Sequence, residues 1–382
     1  MNRLANSPVG HLVPIAGGVR AFVPNSLPRS IDLSSSLVYR LDEASRAVAT
    51  LAGVGETMPN PYLLIRPFIR REAVLSSRIE GTQASISDLF LYEAVGPRRL
   101  RADVAEVVNY VRAVEHGLEL LDELPLCVRL INRVHSVLLR GVRGVESQPG
   151  EMRRCQVWIG PAGTPIEEAR YVPPPADLVR DQLADLEEFV NEPTELPPLI
   201  QCAMMHYQFE AIHPYLDGNG RIGRLLITLF LCARRVLPTP LLYLSAYFER
   251  DRDAYYGQLF QASATGNWQT WLGYFLEGVT EQARDALQRS RRIRDLQARD
   301  RRRLQERRES GNALRLLDEL FATPYMTAPY AADLLNLTTA GARRILERLT
   351  EAGILEYYAD EWPRLYAARE LLELLEAPTA SL

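Results

Sequence analysis

The chain has 382 residues, of which 47% are hydrophobic and 24% are charged, and its formal net charge is −4. This composition is typical of a globular protein with room for more than one domain, and it argues against general affinity for nucleic acid or anionic membranes. All 44 basic residues are arginines, which excludes P-loop NTPases, Schiff-base enzymes and other classes that depend on a lysine.

The four cysteines are widely spaced and form no Cys-x-x-Cys pair, so neither a zinc site nor a redox motif is predicted. Pro, Gly and polar residues interrupt the first 30 residues, which therefore do not resemble a signal peptide. The longest apolar stretch, 225–233, is too short to span a bilayer. We therefore expect a cytoplasmic protein without a membrane partner.

Helical periodicity dominates the N-terminal half of the chain. Residues 1 to about 35 lack a period and predict an extended arm. Apolar residues at helical spacing then predict helices at 36–55, 61–77, 85–94, 101–122 and 126–140. Residues 153–175 differ, because two β-rich stretches flank a turn that contains Gly and Pro, and they predict a β-hairpin.

Helices resume after the predicted hairpin. The pattern predicts them from about residue 176 and then at 197–212, 221–235, 252–262 and 268–308. Ten arginines and three acidic residues lie between positions 289 and 308. A solvated connecting helix explains this run more simply than a nucleic-acid patch.

The C-terminal residues predict a separate small domain. Helices are expected at 313–321, 330–335 and 339–352, followed by strands at 354–358 and 364–367. This order resembles a winged helix whose recognition helix begins at Thr339 and carries Arg343, Arg344 and Arg348. DNA binding, contact with a protein partner and simple solvation of that face would each account for these arginines.

Twelve consecutive residues, from His213 to Arg224, carry the strongest chemical signal: His-Pro-Tyr-Leu-Asp-Gly-Asn-Gly-Arg-Ile-Gly-Arg. A Gly-rich turn that leads into a helix presents unpaired backbone N–H groups, which bind an anion. Asp217 suits a hard cation such as Mg²⁺, and His213 is placed to take a proton from an attacking hydroxyl. The segment therefore predicts phosphoryl or nucleotidyl transfer.

The same segment resembles the signature of the Fic family, His-Pro-Phe-x-Asp-Gly-Asn-Gly-Arg-x-x-Arg, with Tyr215 in place of the usual Phe. The resemblance implies a mainly α fold, a Fic-type helical bundle with a β-hairpin flap. It also implies transfer of AMP from ATP to a protein hydroxyl, with His213 as the catalytic base and Asp217 as the Mg²⁺ ligand. The implied ATP-binding residues of the signature are Gly218, Asn219, Gly220, Arg221, Ile222, Gly223 and Arg224.

Two further segments extend the resemblance around the site. Tyr255 and Tyr256 resemble a pair that lines the nucleotide, where aromatic faces would stack on the base. The predicted hairpin matches the position of the flap that docks the target by strand addition, which implies docking by Val157, Trp158, Ile159 and Gly160. His206 and Glu210 share one helical face, and a buried histidine explains them better than a metal site.

A third segment resembles the inhibitory motif of the family, (Ser/Thr)-x-x-x-Glu-(Gly/Asn), at Ser76, Glu80 and Gly81. A carboxylate can bind an arginine through charge-assisted hydrogen bonds. If Glu80 holds Arg224 in this way, that arginine is unavailable to the γ-phosphate of ATP. The sequence thus predicts an enzyme that its own N-terminal helix holds inactive.

The predicted organisation has four parts: an arm and helices with the inhibitory helix (1–100), a Fic core (101–280), a charged connecting helix (281–308) and a winged-helix-like domain (309–382). The predicted function is an autoinhibited protein adenylyltransferase that uses ATP and Mg²⁺ to modify a Ser, Thr or Tyr of a target protein or of itself. Removal of AMP, another nucleotidyl or phosphoryl transfer at the same site, and DNA-binding regulation through 309–382 remain alternatives. The resemblance also implies a homodimer.

Overall fold

The mainly helical fold predicted from the sequence is confirmed. The computed structural model describes residues 2–57, 61–96, 102–141, 148–161, 163–358 and 364–379. Its α-helices are α1 (Ser35–Thr57), α2 (Tyr62–Ile79), α3 (Ile86–Val95), α4 (Ala102–Leu120), α5 (Val128–Leu138), α6 (Val179–Asn191), α7 (Pro198–Ile212), α8 (Asn219–Ala233), α9 (Ser245–Arg250), α10 (Arg252–Thr265), α11 (Trp268–Glu306), α12 (Gly311–Leu320), α13 (Ala328–Leu335), α14 (Thr339–Glu351) and α15 (Arg369–Glu376). Within the described residues, none of the helices has the combination of length and apolarity that crossing a bilayer demands.

Two small antiparallel sheets accompany the helices. Strands β1 (Gly10–Pro14) and β2 (Arg20–Pro24) form a hairpin near the N-terminus. Strands β3 (Tyr325–Thr327), β4 (Glu356–Tyr358) and β5 (Leu365–Ala367) form a second sheet in the order β3-β5-β4. Both sheets lie at the periphery of the helical core.

Helix α7 occupies the centre of the fold. Nearly all of its residues are buried, which is expected of a helix that is apolar on every face and surrounded by others. It packs against α6, α8, α10 and α11, and the indole of Trp271 on α11 donates a hydrogen bond of 2.9 Å to the Ala203 carbonyl on α7. The turn that joins α7 to α8 contains the start of the signature, so two almost fully buried helices position it.

The prediction of an extended arm over residues 1–35 is wrong, because this segment contains the β1–β2 hairpin. Gly17 and Gly18 adopt φ values of 79° and 75° in the turn, a conformation that glycine takes without steric cost. The amide of Phe22 then donates a 2.8 Å hydrogen bond to the Val172 carbonyl. The hairpin therefore covers one side of the segment predicted to be the flap.

The predicted hairpin at 153–175 does not form as a ladder. Among its described residues, the strands pair at a single antiparallel bridge, between Ile159 and Tyr171. Their backbones exchange hydrogen bonds of 2.8 and 3.2 Å. Prolines at positions 161, 165 and 173–175 have no N–H group, so a longer ladder cannot form. The flap is thus an irregular loop with one pinned pair.

The charged run at 289–308 is only partly a solvated face, which corrects the prediction for this helix. It forms the second half of α11, and Ile293, Leu296 and Leu304 are buried there. They pack towards the elements that follow α11, which we call the C-terminal unit (α12–α15 and β3–β5). The connecting helix therefore joins this unit to the catalytic core through an apolar stripe.

The C-terminal unit contains the predicted helices and strands, and it ends with α15, which the sequence analysis missed. Leu371, Leu372 and Leu375 of α15 are buried. The helix packs against α2, α3 and α11, so the unit contacts the N-terminal helices as well as the connecting helix. Its relation to winged helices stays a prediction.

We expect Trp271→Ala to lower the free energy of unfolding by about 3–5 kcal/mol, because the indole is fully buried and the substitution leaves a cavity beside α7. Trp158→Ala is the matched control, since that side chain is 45% exposed and should cost about 1 kcal/mol or less. Urea unfolding followed by circular dichroism measures both. Equal losses would contradict this account of the core.

Candidate active site

The signature begins where α7 ends. His213 has a left-handed conformation with φ 51° and ψ 63°, and its amide donates to the Phe209 carbonyl at 3.0 Å. Pro214 follows, and a residue before proline is disfavoured in the helical region. The chain therefore turns sharply at His213, which places the imidazole at the mouth of the turn.

Side chains fix the turn from within. The side chain of Asn219 accepts from the Tyr215 amide and donates to the Tyr215 carbonyl, both at 2.8 Å. The Tyr215 hydroxyl donates to Asn132 at 2.7 Å, and its ring stacks on His135 with 3.7 Å between centroids. Tyr215 therefore fills the place of the usual Phe and adds a hydrogen bond.

His135 is a functional neighbour that sequence reasoning missed. Its Nδ1 accepts from the Gly150 amide at 2.8 Å, so Nε2 carries the proton and donates to the Asp217 carbonyl at 3.0 Å. Burial lowers the pKa of His135 to about 4 and keeps this neutral form at physiological pH. In the sequence it is one histidine of an amphipathic helix, and nothing there marks its contact with a loop 82 residues away.

Arg153 is the second residue that the sequence did not reveal. Its guanidinium is buried and donates to the carbonyls of His213 at 2.8 Å, Pro174 at 2.5 Å and Cys155 at 3.2 Å. These acceptors belong to the signature turn and to both arms of the flap. One side chain therefore sets the flap and the histidine relative to each other.

The environment of His213 keeps its imidazole neutral. Burial is the main cause that lowers its pKa to about 4, and the positive charge of Arg153 acts in the same direction. The negative charge of Glu80 raises the pKa and opposes both. A neutral imidazole can accept a proton at physiological pH, as a general base must.

The N-terminus of α8 forms an anion cradle. Gly218 caps the helix with φ 78°, and its amide donates to the Asp217 carboxylate at 2.6 Å. The next amides, from Asn219 onwards, lie in the first turn, where a helix has no internal acceptors for them and is positive. Of the three amides predicted to bind phosphate, those of Asn219 and Gly220 therefore remain for a ligand.

Glu80 reaches into this cradle. Its Oε1 lies 2.7 Å from Nη2 of Arg224, and a Cβ atom on Gly220 would lie 2.3 Å from the same oxygen. Desolvation opposes the charge, yet Arg224 holds the pKa of the Glu80 carboxyl below its usual value. The carboxylate thus occupies the position where an anion would meet both the cradle and the arginine.

Arg224 is held from a second direction by the same N-terminal helix. Its Nε donates to the Ser76 hydroxyl at 2.9 Å, and Nη2 donates to the Ser76 carbonyl at 3.0 Å. Its Nη1 is buried and has no acceptor among the described residues. Because Nη1 lies beside Gly220, it is a donor available to a phosphate in the cradle.

Arg221 and Asp217 form an ion pair at the rim. Nη2 of Arg221 lies 3.2 Å from Asp217, and Nη1 lies 3.4 Å from Glu106. The Asp217 side chain is half exposed. Among the described residues no group of three or more His, Cys, Asp or Glu could hold a metal ion. Asp217 suits Mg²⁺ as a single carboxylate that shares the ion with phosphates.

His206 is a buried structural histidine, as the sequence analysis favoured. Its Nδ1 donates to the Gly223 carbonyl at 3.0 Å, and its Nε2 accepts from the Tyr255 hydroxyl at 2.8 Å. Burial lowers its pKa to about 3. Both nitrogens are therefore occupied, and neither is left for a metal.

Three residues predicted to bind ATP lie inside the core. The side chains of Tyr255 and Ile222 are fully buried, and Tyr255 stacks on Phe248 at 4.3 Å. Gly223 faces the Glu210 carboxylate, which a Cβ atom would approach to 2.2 Å. Helix packing covers these three residues, and their contact with a nucleotide stays a prediction. Tyr256 is half-buried and lies near the charges of Glu80 and Arg224.

The four predicted docking residues are at the outer arm of the flap. Trp158 is 45% exposed, and its indole donates to the Thr164 carbonyl at 2.8 Å. Gly160 is exposed, whereas Val157 and Ile159 are half-buried. This arm therefore presents an exposed aromatic ring beside the backbone pair of Ile159 and Tyr171.

Residues 38–119 match the sequence model described as Fic/DOC family N-terminal, and residues 125–231 match the one described as Fic/DOC family. A protein adenylyltransferase fic-1 of Caenorhabditis elegans is 32% identical over 103 residues, which is 26% of this chain and 18% of that protein. A protein adenylyltransferase Fic of Drosophila grimshawi is 34% identical over 115 residues, 29% of this chain and 21% of that protein. The chain thus matches about a fifth of the length of these curated relatives.

Solved structures share the fold. A Fic family protein from Desulfovibrio desulfuricans has a TM-score of 0.57 at 19% identity, over 88% of this chain and 97% of that one. A Fic domain containing signaling protein from Bacteroides thetaiotaomicron has a TM-score of 0.52 at 20% identity, over 66% of this chain and 96% of that one. At these identities the likeness concerns the fold.

We expect the imidazole of His213 to titrate near pH 4 in NMR spectra of the folded protein. Glu80→Gln should lower that pKa further, because the charge of Glu80 favours the protonated imidazole. Glu277→Gln, a surface change in an exposed ion pair with Arg40, is the control and should leave it unchanged. A titration near the ordinary value of 6.5 would contradict the described environment.

Proposed function

Because the chain belongs to the Fic/DOC family through residues 38–119 and 125–231, we propose that it is a protein adenylyltransferase that Glu80 holds inactive. The names of the curated relatives support the activity. The contact of 2.7 Å between Glu80 and Arg224 inside the anion cradle carries the second half of the proposal.

In the proposed reaction, a hydroxyl oxygen of the target protein attacks the α-phosphorus of ATP. The neutral imidazole of His213 takes the hydroxyl proton, and the bond between the α-phosphorus and the bridging oxygen breaks so that pyrophosphate leaves. The product is a phosphodiester between AMP and a Ser, Thr or Tyr side chain. A site on this chain itself is also a candidate acceptor.

The cradle and the arginines provide the electrostatic part of the reaction. The amides of Asn219 and Gly220 at the start of α8 would hold phosphate oxygens, and Nη1 of Arg224 would bind the outer phosphates. Asp217 would hold Mg²⁺, which neutralises charge on the phosphates when bound. Arg221, paired with Asp217 and Glu106, would stabilise the rim and keep Asp217 in place.

Inhibition follows from competition for one arginine. A carboxylate that already fills the cradle repels the phosphates of ATP, and Glu80 also engages Nη2 of Arg224, the arginine whose Nη1 would orient them. A misplaced α-phosphate then cannot meet the attacking oxygen in line. Release of Glu80, rather than a change in His213, would start the reaction.

The flap would bring the target hydroxyl to His213. Trp158 would offer an exposed ring to an extended peptide, and Val157 and Gly160 would offer backbone on either side of the pair between Ile159 and Tyr171. Arg153 ties both arms of the flap to the carbonyl of His213. Docking and proton transfer would therefore share one anchor.

The C-terminal unit is more suited to a protein partner than to DNA. Residues 309–382 contain six arginines and twelve acidic residues, and such a negative balance repels phosphate backbones. Arg343 and Arg344 are exposed on α14, whereas Arg348 lies 3.4 Å from Glu309. We propose a cytoplasmic enzyme whose C-terminal unit binds protein, with a second copy of the chain as one such partner.

Removal of AMP is a second candidate, because the Glu80 carboxylate also lies close enough to His213 to influence its charge. In that reaction Glu80 would orient a water for attack on the phosphodiester. Glu80→Gly separates the two functions, since it would abolish removal of AMP but increase its transfer.

We expect Glu80→Gly to increase labelling of protein by [α-³²P]ATP about 10- to 100-fold, because one charge-assisted hydrogen bond contributes roughly 1.5–3 kcal/mol. His213→Ala in the Glu80→Gly background should abolish the label. [γ-³²P]ATP should give none. Equal labelling by the wild type and the Glu80→Gly variant would refute autoinhibition, and γ-labelling would indicate a kinase-like reaction.

In the Glu80→Gly background, we expect Arg153→Ala to reduce labelling roughly tenfold or more, because His213 and the flap lose their common anchor. The matched control is Arg154→Ala, since that neighbouring arginine is 81% exposed and pairs with Glu151. Its labelling should stay within a factor of about two. Equal effects of the two substitutions would count against a positioning role for Arg153.

A further inference from the structure

We infer that the C-terminal unit holds the inhibitory helix α2 in place through α15 and Arg289, so that undocking of α15 frees Arg224 from Glu80. This inference rests on the proposed role of Glu80. It adds a second contact surface to the control of the site, at Arg71, between one and two turns of α2 before the inhibitory motif.

Helix α15 docks between the N-terminal helices and the connecting helix. Leu371 and Leu375 are 1% exposed, and the helix packs against α2, α3 and α11. At the rim, the Ser87 hydroxyl on α3 donates to Glu376 at 2.6 Å. Strand β3 of the same unit also packs against α3. The C-terminal unit therefore touches the segment that contains the inhibitory helix through two of its elements.

The guanidinium of Arg289 caps the C-terminal end of α15. Its side chain is 1% exposed and donates to the carbonyls of Leu374 and Ala377. The last carbonyls of a helix have no internal donors, so an arginine placed there satisfies them. The same guanidinium pairs with Asp285 one turn earlier on α11 at 2.9 Å.

Asp285 connects this anchor to the inhibitory helix. Its carboxylate is almost completely buried and lies 3.8 Å from Nη1 of Arg71, which belongs to α2. One buried carboxylate thus serves two arginines, one that holds α15 and one on α2. Removing one partner from such a buried cluster leaves an uncompensated charge, which is destabilising. We therefore expect Arg71, Asp285 and Arg289 to keep their contacts together or to lose them together.

From Arg71 the connection continues along one face of α2. Glu72, Ser76 and Glu80 follow at intervals of four residues, which places them on the same side of the helix. Glu72 accepts from Ser245 at 2.5 Å and from the Tyr110 hydroxyl at 3.2 Å, whereas Ser76 and Glu80 both bind Arg224. A displacement at Arg71 would therefore reach the Arg224 contacts through a rigid helix.

The junction between α2 and α11 is polar and incompletely filled. A cavity of about 20 Å³, enough for a single water, lies between Arg71, Glu72 and Arg289. The hydroxyl of Tyr243 and Nε2 of Gln282 are buried at this junction without partners among the described residues. Such a contact is easier to open than a dry, closely packed core.

The test compares Arg289→Ala with Arg301→Ala in the full chain. Arg301 lies on the same helix but pairs with Asp318 at 2.6 Å at a half-exposed site away from α15. Arg289→Ala should increase labelling by [α-³²P]ATP about fivefold or more, and Arg301→Ala should not. In the Glu80→Gly background, Arg289→Ala should give no further increase, because there is no carboxylate left to release.

Hydrogen–deuterium exchange gives a readout that does not depend on activity. Amides of residues 62–79 should exchange faster in Arg289→Ala than in Arg301→Ala.

If Arg289→Ala fails to fold, Ser87→Glu replaces it, since this exposed change sets two like charges against each other at Glu376. Unchanged exchange in α2 and unchanged labelling, despite a loosened α15, would overturn the inference. If Glu80→Gly itself does not label protein, the proposed function fails, and the exchange data still decide whether α15 holds α2.

Discussion

The burial of one arginine organises the site. Arg224 is 1% exposed and lies in a chain without lysine, so its charge has to be met by anions or carbonyls brought to it. Ser76 and Glu80 supply them from α2, and the first turn of α8 adds its positive end to the same small volume. A carboxylate is stable in that cradle for the same reason that a phosphate would be. The proposed inhibition and the proposed binding of substrate would therefore be two uses of a single electrostatic arrangement, and the position of α2 would decide between them.

The remainder of the site is organised before any ligand arrives. The turn after α7 is fixed by Asn219, by the Tyr215 ring stacked on His135 and by the guanidinium of Arg153. Asn219, His135 and Arg153 are buried and direct their hydrogen bonds at backbone atoms, so the turn cannot relax without breaking several of them. A turn fixed in this way, combined with the proposed inhibitory role of Glu80, favours control by access to the site rather than by its assembly.

The sequence predicted those parts of the structure that local patterns determine. Helical periodicity located most of the helices, and the signature located the turn between α7 and α8, because glycine, proline and apolar spacing act within a few residues. Sequence patterns did not predict the features that depend on contacts between distant segments or on single turn residues. The β1–β2 hairpin and the interrupted pairing of the flap are local, but they depend on single turn glycines and on prolines without an N–H group rather than on a hydrophobic period. The docking of α15 depends on partners far along the chain. Arg153 and His135 were missed for the same reason, since their roles consist of contacts with backbone carbonyls that no spacing rule encodes. The complete burial of Tyr255 was not predicted, because an aromatic pair on a helix does not reveal which ring faces the core.

Ser76 gives α2 a second structural role beside the proposed inhibition. Its hydroxyl and carbonyl orient the guanidinium of Arg224 independently of the carboxylate one turn later. Once Glu80 has left, these two bonds still aim the free Nη1 at the cradle. If Glu80 inhibits as proposed, α2 would be a scaffold of Arg224 as well as its restraint, and losing the whole helix would not be equivalent to losing the Glu80 carboxylate. Activators of such an enzyme need to tilt the end of α2 while leaving its middle in place.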